Sequence, residues 1–522
     1  MRVELGTVDL LVFGAYLVAV GLLAARASRN RNDTRREYFL GGEKLPWWMV
    51  GGSIVAANIS SHHFIGVMGV AYQHGFVAMT IEWGAILVGF NALLWIFLPY
   101  YLRNGFYTMP EFLQRRYGGA ARGLFAVLIL VTYVFVEIAA VLYFGALALH
   151  ELLGLSVHLC VPVIALITGI YTVTGGLRAV VWTEMLQLVV LLVGGLSLAV
   201  AVLHAGGGWA AFFATSKDWD MIRPASDPDF PWTMYLGGLL CISIFYCAAN
   251  QFIVQRVLGA KDEWHARMGV VFTDYLKFLL PLIIVVPGII GPKLFPGLER
   301  PDMIFPTLVA NLLPQGLVGL VLAGLVAAVM SHVSGALNSS TTILTVDFYQ
   351  VWRPRATEAE AVRFGRRSGI VLAILGVVAA EILTSHSDRP VFIYLLSAYG
   401  YVTPGMATMF LVGIFWRRAT QAGAVTAGVL TIVLSVGLEL LFPSLPFFNR
   451  TGIVFWACMV ACVGVSLVTR PKSEESLRGL IWTRESLQLP ENQRRQARGW
   501  RSPALWWAII TVVVLYFYVR YA

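Results

Sequence analysis

The chain is poor in charge. Only 13% of its 522 residues are Asp, Glu, Lys or Arg, about half the roughly 25% of an ordinary soluble protein. Cysteine is scarce as well: Cys160, Cys241, Cys247, Cys458 and Cys462 all fall inside apolar runs without CxxC spacing, which argues against a disulfide framework and a thiolate metal centre. Long polar stretches are limited to 205–232 and 470–502. Neither is a soluble domain, and no kinase or receiver domain is fused to the 470–502 segment, which counts against a solute sensor. The conspicuous His and Glu residues lack nucleophile or metal-ligand spacing around them, so the reading is not an enzyme.

Apolar runs fill the rest. Hydrophobic residues make up 58% of the chain, and its mean hydropathy is +0.73. Runs of 18 or more apolar residues recur, each able to cross a hydrocarbon core about 30 Å thick. The pattern predicts an all-α polytopic membrane protein with about 14 spans, near 7–25, 48–72, 79–101, 123–149, 157–175, 181–204, 233–254, 268–291, 316–340, 368–385, 391–415, 421–441, 452–468 and 503–520. Most of the 38 Lys and Arg fall in alternate loops, which places both termini outside by the positive-inside rule. The formal charge of +9 thus reflects topology, not nucleic-acid binding. The first span is not read as a cleaved signal peptide, because its basic cluster (Arg26, Arg29, Arg31, Arg35, Arg36) follows it. The 470–502 segment is expected to hold a surface helix or a flexible tether.

The run at 48–72 carries "SIVAANISSHHFIG" (53–66) at its middle. Polar groups cost free energy in hydrocarbon unless unwound backbone lines a protein cavity; small and hydroxyl residues also let helices pack closely. "AAN" recurs at 56–58 and 248–250, in spans two and seven. Equivalent positions five helices apart imply an inverted second unit, a signature of secondary transporters with broken helices. His62 and His63 point about 100° apart on a helix, so one of them is expected to face the cavity. Glu82, Glu137, Glu184, Asp274 and Lys277 lie in or just inside apolar runs, where each costs about 2.5–3.5 kcal/mol if exposed to lipid. Asp274 and Lys277, three residues apart, read either as a local ion pair or as a solute contact.

"YFLGGEKLPWW" (38–48), "AANISSHHFIG" (56–66), "GFYTMPEFLQRRYG" (105–118), "GGLRAVVWTEMLQ" (175–187), "NQFIVQRVLGAK" (250–261), "LNSSTTILTVDFY" (337–349) and "TPGMATMFLVGIFWRR" (403–418) resemble the sodium:solute symporter family. The sodium/glucose cotransporter branch is the most similar. The resemblance implies a LeuT-type fold: two inverted five-helix repeats at about 48–204 and 233–415. A leading helix and basic loop (1–47), an external loop (205–232) and peripheral helices (416–522) flank them. It also implies a multi-pass protein of the plasma (inner) membrane, with sodium as coupling ion, no organic cofactor, and a small solute and the bilayer as partners.

By the same resemblance the carbonyls of Ala56, Ile59 and Ala328 and the hydroxyl of Ser331 would bind sodium. His332 stands where the family has a second serine. A further ion would use Glu184 and Ser334, although Gly335 replaces a serine there. The solute contacts would be Asn58, His63, Glu82, Ser243, Tyr246 and Lys277. Leu396 replaces an expected glutamine and Cys247 an expected aromatic, so the pocket is more apolar on one wall than a hexose site. The implied activity is sodium-coupled import of a small neutral polar solute, sugar or polyol-like, by alternating access. The alternative is a proton-coupled or uncoupled carrier of the same fold with His332 as switch.

Overall fold

The computed structural model describes residues 5–29, 34–215, 219–386 and 391–522, with backbone alone at 29, 215, 385–386 and 391–396. Every element among them is helical. Twelve helices among the described residues are long and apolar enough to cross a membrane; two glycine corners and one break account for the difference from the fourteen apolar runs.

The runs at 157–175 and 181–204 share Val157–Ala205, a 49-residue stretch. As one helix it would extend about 74 Å, more than twice the hydrocarbon thickness. Gly176 ends it: φ is 60° and ψ −161°. Only glycine suits that corner, since a Cβ there would sit 2.4 Å from the Tyr38 carbonyl oxygen.

The run at 48–72 is not one helix. Trp47–Asn58 stops at Ile59, whose φ of −76° and ψ of 128° are extended, and the chain resumes helical turns at Ser61 that run to His74. Gly75 (φ 72°) then turns it into the next run, so His63–Asn104 counts as one helical stretch. The second "AAN" breaks in the same way. A π-turn over Phe245–Ala249 ends at Asn250 (φ −84°, ψ 120°), and Gln251–Leu258 follows. The Asn250 side chain caps that second half by accepting from the Phe252 amide at 3.1 Å, and the Tyr133 hydroxyl bonds the same Asn250 oxygen.

Leu317–Ile343 is the structural centre. Nearly every residue on it is buried, polar and apolar alike, as expected of a helix surrounded by others. Gln421–Leu441 and Pro503–Arg520 are little buried and read as lipid-facing.

The 470–502 segment is neither a long surface helix nor a loose tether. Short helical turns (Glu475–Leu477, Arg484–Leu487, Glu491–Arg494) alternate with extended chain, and the segment is strapped to one end of the bundle. Arg103 donates to the Gln488 carbonyl at 2.5 Å, and Arg267 to those of Leu487 (2.7 Å) and Ser486 (2.8 Å). The Trp482 amide donates to the Ile414 carbonyl at 3.0 Å.

Candidate functional site

The two breaks and the central helix meet around a buried polar cluster. Ending a helix at Asn58 frees carbonyls that no intrahelical amide can reach. The Ser331 hydroxyl lies 2.8 Å from the Ala56 carbonyl and 3.1 Å from that of Ala328. Three of the four expected sodium oxygens are therefore side by side, and Ile59 supplies the fourth residue at the break itself. All four residues are buried. Neutral oxygens of this kind are hard ligands suited to a small cation.

His332 fills the place of the second serine. Its Nδ1 lies 2.8 Å from the Ala57 carbonyl, which only accepts, so Nδ1 carries hydrogen. Its Nε2 lies 2.5 Å from Glu137, whose other oxygen takes the Tyr399 hydroxyl. With Nδ1 already a donor, the His332–Glu137 bond requires one proton shared between the two groups. The ring turns neither to lipid nor into a packing gap.

The residues expected to contact solute form a second cluster. The Ser60 amide donates to His63 Nδ1 at 3.2 Å, capping the resumed helix. His63 Nε2 must then carry the hydrogen, and it donates to Glu82 Oε1 at 3.1 Å. Lys277 Nζ lies 2.6 Å from Glu82 Oε2 and 2.5 Å from Asn58 Oδ1. Tyr246 lies beside Asn58 and meets Tyr399 edge to face, ring centres 5.9 Å apart. Ser243 is buried one turn earlier on the same helix. His62 bonds the Ser60 hydroxyl through Nδ1 at 2.5 Å, and its ring lies 4.0 Å from that of His63. The Leu396 side chain is outside the described residues.

Two arrangements bear on alternatives that the sequence left open. Asp274 and Lys277 do not form the local pair their spacing suggests, because Lys277 reaches across to Glu82. Glu184 is paired with Arg256 and hydrogen-bonded by Ser53. Arg256 lies over the Phe252 ring, and a Cβ on Gly335 would stand 2.6 Å from its guanidinium. The space opened by Gly335 is thus filled by a fixed cation, while Ser334 bonds the Ser331 carbonyl at 2.9 Å.

Arg256, Tyr399 and Asn250 escaped sequence reasoning as site residues. Arg256 had a signal, an arginine at the end of an apolar run. Tyr399 had none, since its role depends on where Glu137 points.

A family model described as the sodium:solute symporter family matches residues 38–431. The chain belongs to that family. The symporter is 33% identical over 502 residues to the sodium/glucose cotransporter of Vibrio parahaemolyticus, covering 89% of this chain and 91% of the relative. It is 32% identical over 562 residues to the human sodium/myo-inositol cotransporter, covering 94% and 78%. A solved structure of a Na+-coupled sialic acid symporter superposes with a TM-score of 0.80 at 23% identity, covering 90% of this chain and all of that one. The LeuT-type fold is therefore shared, and the protein is a multi-pass membrane carrier that imports a small polar solute with sodium.

Proposed function

We propose that the symporter takes up a neutral cyclic polyol or sugar with one sodium ion per cycle. The placement of Ser331 against the Ala56 carbonyl supports this reading most directly. Sodium joins the two carbonyls and the hydroxyl with Ile59, ties the broken helix to Leu317–Ile343, and favours the arrangement that admits solute. Glu82 and the Asn58 oxygen accept from solute hydroxyls, Lys277 and His63 donate, and Tyr246 covers an apolar ring face. The relatives named for glucose and myo-inositol take polyhydroxyl ligands of this kind. Units at about 48–204 and 233–415 act as the two repeats that rock about the site.

One ion suffices. Crossing 100 mV releases about 2.3 kcal/mol per charge and a tenfold gradient about 1.4 kcal/mol. Together they support roughly 500-fold accumulation. Arg256, already paired with Glu184, takes the place of a second cation.

A second reading is a carrier driven by protons or by the solute gradient alone. It is favoured by His332, which occupies the Ala57 carbonyl where a hydroxyl ligand was expected. Reconstituted carrier, given labelled D-glucose, D-galactose and myo-inositol under separate sodium and pH gradients, decides between them. Sodium-driven accumulation is expected; uptake that ignores sodium and follows pH overturns the sodium reading.

A further inference from the structure

Three buried acids of the central region have an ion-pair or hydrogen-bond partner. Glu82 has His63 and Lys277, Glu137 has His332 and Tyr399, and Glu184 has Arg256 and Ser53. Asp274 is not. It is fully buried, and neither carboxyl oxygen has a hydrogen-bond partner among the described residues. A buried carboxyl without a partner is a standing cost unless another state supplies one.

The available partner is one turn away. Lys277 follows at i+3, where side chains are helical neighbours about 5–6 Å apart at Cβ, and it lies within electrostatic reach of Asp274. In the present arrangement its ammonium is held across the helix gap by Glu82 and Asn58 and passes over the Phe90 ring at 5.9 Å. The facing helix presents Cys247 within the field of Asp274, Lys277 and Glu82. A thiol is a weak donor, so that wall does not hold Asp274 in place of Lys277. The two acceptors gripping Lys277 are those a solute's hydroxyls need.

We propose that Asp274 is the second resting place of the Lys277 ammonium, which moves there from Glu82 and Asn58 when solute hydroxyls take those acceptors. This rests on the polyhydroxyl reading of the site given above. Asp274 is a positioning residue: it touches no solute, and it lowers the cost of releasing Glu82 by keeping the buried ammonium paired. Without it, solute would have to bind against a locked Lys277–Glu82 pair or leave a cation stranded.

A solute-free test uses thermal unfolding of the purified full-length carrier. Asp274→Asn alone leaves the melting temperature unchanged or raises it, because Asp274 has no partner to lose. In a Glu82→Gln background Asp274 is the carboxylate left within reach of Lys277, so adding Asp274→Asn lowers the melting temperature by at least about 3 °C more than Glu82→Gln does. Equal shifts in both backgrounds, or a drop of that size from Asp274→Asn alone, overturn the proposal. A second arm measures sodium-saturated uptake of labelled D-glucose and myo-inositol in proteoliposomes. Asp274→Asn raises KM about tenfold with maximal rate within about twofold, and Asp274→Glu restores KM; an unchanged KM overturns the link to solute. If the unmodified carrier takes up neither compound, the polyol reading falls, while the melting-temperature cycle still decides whether Lys277 changes partner.

Discussion

The Ser331 hydroxyl stands 2.8 Å from the Ala56 carbonyl, joining the central helix to the carbonyl end of a helix that stops two residues later. One short polar contact thus spans the gap that sodium would close. Removing it tests the ion site with little structural damage, since one hydrogen bond is worth about 1 kcal/mol. Ser331→Ala is expected to raise the sodium concentration for half-maximal uptake by about tenfold or more, equivalent to about 1.4 kcal/mol. The melting temperature should move little. Uptake measured against sodium concentration checks this.

His332 and Glu137 make the complementary case. Exchanging only one would leave a buried polar group unpaired, so the informative variant is His332→Ser with Glu137→Gln. It restores a hydroxyl beside Ser331 and removes the facing carboxylate. Half-saturation is expected at lower sodium than in the unmodified carrier. A rise instead would show that the histidine contributes to the ion site.

Arg256 and Glu184 are both buried, and Gly335 leaves the room that the guanidinium fills. Arg256→Met strands Glu184 and is expected to destabilise the carrier by about 3–5 kcal/mol, whereas Arg256→Met with Glu184→Leu recovers most of that loss. If, as proposed, Arg256 takes the place of a second cation, uptake should depend on sodium with a Hill coefficient near one. A coefficient near two in the unmodified carrier would contradict that assignment.

Gly176 isolates a backbone requirement. Gly176→Ala combines a positive-φ backbone that side chains hardly adopt (φ 60°, ψ −161°), costing about 1–3 kcal/mol, with a Cβ 2.4 Å from the Tyr38 carbonyl. Gly105 also has positive φ, in the milder left-handed helical region (φ 62°, ψ 38°), and a Cβ there meets nothing within 4 Å. Folded yield in detergent is expected to fall sharply for Gly176→Ala and only modestly for Gly105→Ala. Equal losses would mean that the Tyr38 contact is unimportant.

Much of the architecture is local and therefore legible. Hydrocarbon requires about 20 apolar residues per span, so the runs declare themselves. Where polar residues interrupt two of them at "AAN", the backbone does come apart, at Ile59 and Asn250. Corners such as Gly176 were less visible, because a glycine among small residues looks like packing until its carbonyl neighbour is known. The 470–502 strap was misjudged because its order comes from carbonyls satisfied by Arg103 and Arg267 on other elements.

By itself the amino-acid sequence determined that this chain lives in a bilayer, that two of its spans break, and which polar residues those spans must shelter. Only the tertiary structure decided who pairs with whom: Lys277 with Glu82, not Asp274; Arg256 with Glu184; His332 with Ala57 and Glu137. Spacing along a helix says which side chains are neighbours. The partner of a buried charge is set instead by where separate helices cross, and each crossing depends on packing contributed by the whole bundle.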